Sequence, residues 1–150
     1  MRGQQTSFRS FFIMLYFFAC GVASAHTNEY LDTIDGDHGG QLRMSGAYHF
    51  ELIANPGTLK IYVTDHGSQP IDTAGASADA MVVTDGKKTV VNLRAAGANT
   101  FEGVGEFTLN EQSAVHLKVT MPNGDAELAT FTPLRKRDSK PAESGHHHHQ

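Results

Sequence analysis

The sequence predicts an all-β fold, an antiparallel immunoglobulin-like β-sandwich of seven or eight short strands. Three observations carry that expectation. Several stretches alternate apolar and polar residues with period two, the breaks between them hold turn-forming residues at spacings of about 8 to 12 residues, and no amphipathic helical pattern is sustained.

The elements follow in order. Tyr48, Phe50 and Leu52 alternate with His49, Glu51 and Ile53, and Leu59, Ile61 and Val63 alternate with Lys60, Tyr62 and Thr64, which gives two strands joined at Asn55-Pro56-Gly57. Further strands are expected at Ala80 to Thr84, Thr89 to Leu93, Phe101 to Phe107, Ala114 to Met121 and Glu127 to Phe131. Turn chemistry separates them at Asp85-Gly86, Gly97-Ala98-Asn99 and Pro122-Asn123-Gly124-Asp125. The domain should therefore span residues 41–133. Residues 26–40 are acidic, lack a period and read as a flexible arm, and residues 134–150 are polar with no face to bury, which predicts a disordered tail.

The N-terminus reads as an export signal, residues 1–25. Arg2 and Arg9 precede an apolar stretch from Phe11 to Ala19, too short to span a bilayer, and Ala23-Ser24-Ala25 offers the small residues that signal peptidase needs. Removal predicts a periplasmic protein beginning at His26, with no membrane span of its own. Processing as a lipoprotein at Cys20 is the competing possibility. Loss of Arg2 and Arg9 moves the formal charge from −4 to −6, and Cys20, the one cysteine, leaves with the peptide. An acidic chain does not collect phosphates, so nucleic acid is excluded as a partner and cations are favoured. Thiolate metal sites and disulfides are excluded for the exported part. Any soft ligand must come from Met44, Met81 or Met121, which read as packing in or near the core.

Histidine is the unusual component, with nine in the chain, all from position 26 onward. Neutral imidazole is a common ligand for copper, zinc and nickel. His26, His38, His49 and His66 are the candidate metal ligands. A mature N-terminal His26 offers its amine and ring nitrogen together, and cleavage after Ala23 would instead expose Ser24-Ala25-His26, a square-planar site for Cu(II) or Ni(II). His49 shares the outer strand face with Glu51. If Ala54 to Gly57 form the loop, Ile53 pairs with Thr58, His49 with Tyr62, and Glu51 with Lys60 as an ion pair. His66 then falls opposite Ser45, about 13 Å from His49 at ~3.3 Å per residue, and the two meet only if the strand ends early and Asp65-His66-Gly67 folds back. His38 reaches more freely from the arm. His116 reads as a surface strand residue, Asp32, Asp35 and Asp37 as a solvated acidic arm, and His146 to His149 as either a native metal-sequestering tail or the remains of an affinity tag, in both cases an unselective metal-binding run. No nucleophile motif or placed carboxylate pair indicates hydrolysis, so no enzyme activity is expected. A copper redox site at His26 is the third and weakest possibility.

His38-Gly39-Gly40, Tyr48-His49-Phe50-Glu51-Leu52, Ile61-Tyr62-Val63-Thr64-Asp65-His66 and Phe131-Thr132-Pro133 together resemble small exported proteins associated with heavy-metal resistance in Gram-negative bacteria. They are also similar to the amino-terminal domain of periplasmic adaptor subunits of heavy-metal efflux pumps. The resemblance covers about residues 38–133 and lacks the adaptor's helical hairpin, lipoyl-like and barrel domains. It implies a periplasmic protein that handles a divalent or cuprous ion, with His38, His49 and His66 as ligands and an efflux adaptor as a partner. The competing expectation is a non-catalytic interaction module that docks on such an adaptor with incidental surface histidines.

Overall fold

Alternation over residues 41–131 folds as eight antiparallel strands in the computed structural model, which describes residues 25–122 and 124–136 and, of residues 25–27, the backbone alone. The strands are β1 (Gln41–Ser45), β2 (Tyr48–Asn55), β3 (Thr58–Asp65), β4 (Ser77–Thr84), β5 (Lys87–Gly97), β6 (Thr100–Val104), β7 (Ala114–Thr120) and β8 (Ala126–Phe131). One sheet holds them in the order β1-β2-β3-β6-β5-β4-β7-β8 and is nearly closed. The signal segment through Ser24, Cys20 included, and the tail from residue 137 onward, His146 to His149 included, lie outside the described residues. Among the described residues no helix is long and apolar enough to cross a membrane.

Every second residue along the strands points inward. Phe50, Leu52, Ile61, Val63, Val82, Val91, Phe101, Leu117 and Phe131 form one apolar core. The three phenylalanines are fully buried, and truncating any one to alanine costs about 3–5 kcal/mol. The closing edges β1 and β8 are joined by side chains. Arg43 Nε donates to Thr130 O at 2.8 Å, Ser45 Oγ to Glu127 Oε2 at 2.6 Å, and Thr132 N to Gln41 Oε1 at 2.7 Å.

Several expectations change in detail. β1 was not predicted as a strand, because its inward residues are Gln41 and Arg43, polar groups used at that seam. β6 stops at Val104 instead of continuing to Phe107, which is buried from the following loop. Met121 joins the core as expected, whereas Met44 and Met81 lie half-buried on outer faces.

The β2–β3 hairpin has a tighter loop than predicted. Asn55 pairs with Thr58, leaving only Pro56-Gly57 between the strands, and Gly57 adopts φ 78°. Proline's fixed φ followed by a left-handed glycine is the residue choice of a type II turn. The shorter loop slides the register by two residues. Glu51 therefore faces Tyr62 and not Lys60, and His49 faces Thr64 and not Tyr62. Lys60 pairs instead with Glu102 on β6 at 2.8 Å, so the expected Glu51–Lys60 ion pair does not form.

The segment before β1 also differs from a free, irregular arm. Ala25–Leu31 forms a short helix, α1, and Leu31 is buried. Asp32 Oδ1 then accepts from Arg43 Nη1 at 2.6 Å and from Gln41 Nε2 at 3.0 Å, so one of the predicted solvated aspartates anchors the arm to β1.

Candidate metal-binding face

The outer face of β1, β2 and β3 carries three of the four predicted ligands, and the docked arm forms one wall of a cavity of about 260 Å³ there. Its lining includes His38, His49, Glu51, Tyr62 and Thr64. Two substructures meet on this face.

The first is built on Glu51. Strand parity turns this carboxyl group outward, yet it is only 5% exposed because residues 36–40 lie across it. Oε1 accepts from the backbone N–H groups of His38 at 2.8 Å and Gly40 at 2.9 Å, and Oε2 accepts from His38 Nδ1 at 2.7 Å. The approach is so close that a Cβ at Gly36 would fall 2.2 Å from the Glu51 carboxyl carbon. His38 also stacks flat on Tyr62, with centroids 3.6 Å apart, while Lys60 Nζ lies 5.2 Å from that tyrosine ring. With Nδ1–H donated to a carboxylate, the lone pair of neutral His38 resides on Nε2. A carboxylate bonded to one ring nitrogen is the usual support of a ligating histidine.

The second is the His49–His66 pair. Sliding the hairpin register by two shortens the distance along the strand, and the turn after Asp65 folds back. Asp65 Oδ1 holds that turn by accepting from Gly67 N at 2.7 Å and Gln69 N at 2.9 Å. The imidazoles of His49 and His66 then stack with centroids 5.0 Å apart and planes 18° from parallel. This is the early strand end and fold-back that the pair requires. His66 Nε2 lies 3.2 Å from Gly46 O, and because a carbonyl only accepts, Nε2 carries the hydrogen and Nδ1 the lone pair. Burial holds the His49 pKa below its ordinary value, the neighbouring His66 charge lowers it further, and Asp65 opposes both. His49 is thus biased toward the neutral, ligating form.

His26 belongs to α1 by backbone, and its side chain falls outside the described part. His38 shares the cavity with His49, yet among the described residues no group of three or more His, Cys, Asp or Glu is arranged to hold a metal. The fold therefore gathers the predicted histidines as a pair plus a separate His38–Glu51 unit. His116 is exposed on β7, its Nδ1 3.1 Å from Thr130 Oγ1. Sequence reasoning assigned Glu51 to a surface ion pair and so missed its role. The available signal was a carboxylate between Phe50 and Leu52 preceded by the close-packing run Gly36 to Gly40.

Comparison of the chain with protein-family models, with curated proteins and with solved structures found no match.

Proposed function

We propose that this is an exported, periplasmic metal-binding or metal-delivery protein that supports heavy-metal resistance or efflux, taking an ion of the copper, zinc or nickel class and acting without catalysis. The observation that carries the reading is the His49–His66 stack, two imidazole rings with centroids 5.0 Å apart on the outer face. Two metal–nitrogen bonds of ~2.0–2.1 Å put donor atoms at most ~4 Å apart, and because each lone pair lies in its ring plane the two stacked rings would turn about their side-chain bonds to converge on one ion. The His38–Glu51 unit supports it as a ligand-type histidine with its carboxylate in place. For the architecture, an immunoglobulin-like sandwich is the reading that the strand order supports. β2, β3, β6 and β5 follow the A-B-E-D order of one layer, and β4, β7 and β8 follow the C-F-G order of the other.

Competition titration with a chelator of known affinity tests the function, using Cu(II), Cu(I), Zn(II) and Ni(II) on protein whose tail histidines, His146 to His149, are replaced by serine. One-to-one binding that is lost in the H49A/H66A double variant is the expected result. Binding that the double variant leaves unchanged overturns the site.

A second reading, a module that docks on an efflux adaptor, is favoured by Val90 and Val104, which are 65% and 76% exposed and line one shallow depression on β5 and β6.

A further inference from the structure

We propose that Met44 is the third ligand of the His49–His66 site and that its thioether directs the site to a soft monovalent ion, Cu(I) or Ag(I), in preference to Zn(II). This inference rests on the metal-binding reading above and narrows it to a ligand class.

Register supplies the geometry. Met44 on β1 is the direct antiparallel partner of His49 on β2, and partners in such a ladder project from the same face with Cβ atoms ~4.5–5.5 Å apart. Met44 is therefore an immediate neighbour of one imidazole, on which the second is stacked with centroids 5.0 Å apart. Its placement is not explained by the core. Met121 packs among the buried residues, whereas Met44 lies half-buried outside that cluster, on the face that carries His49.

Ligand chemistry supplies the preference. Zinc favours four ligands drawn from imidazole, thiolate and carboxylate, and no group of three such residues is assembled among the described residues. Among the neighbouring carboxylates, Asp65 Oδ1 is committed to the backbone of its own turn and Glu51 to residues 38–40. Two neutral imidazoles and a thioether make an uncharged, sulfur-containing set of three. Soft sulfur donors select Cu(I) among the first-row metals, and Ag(I) has the same closed-shell character. The set forms without cysteine, so it survives an oxidising compartment that would convert a thiolate pair to a disulfide.

The test uses full-length protein with the tail histidines replaced by serine, and compares it with M44L, a volume-conserving change that keeps the surface apolar. Cu(I) affinity is read under ascorbate against bathocuproine disulfonate, and Zn(II) affinity against a chromophoric chelator. The expected result for M44L is a loss of about tenfold or more for Cu(I) with Zn(II) changed less than about twofold. An independent readout is the Met44 methyl resonance, which should shift on addition of Ag(I) in the parent protein. Equal Cu(I) affinity in M44L, or a methyl resonance unmoved by Ag(I), overturns the role of Met44 and leaves a two-imidazole site standing. Equal Cu(I) and Zn(II) affinities in the parent and in H49A/H66A overturn the site itself, and Met44's role falls with it.

Discussion

Among the described residues, a methionine faces a histidine across neighbouring strands twice. Met44 is paired with His49 between β1 and β2, and Met81 with His116 between β4 and β7. Both pairs lie on outer faces, yet their surroundings differ. His49 has a second imidazole stacked on it and shares a cavity with the docked arm, whereas His116 is exposed and its ring contacts the Thr130 hydroxyl. A cross-strand pair alone supplies two donors that solvent competes for. The turn at Asp65 and the arm over Glu51 convert one of the two pairs into a partly desolvated group of donors.

The comparison breaks most readily at Glu51. E51A removes all three hydrogen bonds that hold residues 38–40 to β2, with an expected loss of about 2–3 kcal/mol in urea unfolding and faster hydrogen exchange at the His38 and Gly40 amides. Unchanged exchange there would mean that the arm is held by Asp32 and Leu31 alone. A smaller effect concerns pH. The folded His49 pKa lies below its unfolded value of about 6.5, so the unfolded chain binds more protons in that window. Its contribution is complete above about pH 6.5 and is lost as pH falls through the lowered folded value. Unfolding measured from pH 7.5 to 5 should therefore show a shallower decline in H49Q than in the parent. The smallest effect is expected on the other face, where M81L and H116A should each change Cu(I) affinity less than about twofold in the same chelator competition. A loss there comparable to that of M44L would show that any cross-strand Met–His pair suffices.

Strand faces were legible in the sequence because side-chain parity survives any even slip of register. His49 and Glu51 were assigned correctly to the outer face, and His116 to a solvated surface. The slip itself was not legible. It depended on whether Pro56-Gly57 or a four-residue stretch turned the chain, and that choice decided whether His66 was remote from His49 or stacked on it. Burial of Glu51 was hidden for a different reason, since it arises from a segment without period whose docking rests on Asp32, Leu31 and close backbone approach at Gly36. β1 escaped because its inward side chains serve a polar seam, which inverts the usual hydrophobic alternation.

That seam bears on how the protein behaves at high concentration. An open sheet ends in two rows of free backbone groups that template the addition of a strand from another molecule. Here the two terminal strands border one another, with the Arg43 guanidinium reaching the Thr130 carbonyl and Ser45 holding the Glu127 carboxylate across the gap. An intruding strand must first displace a buried guanidinium from Asp32 and from that carbonyl. Arg43 thus guards the molecule against polymerising through its own edges, a protection that a fully apolar seam would not provide.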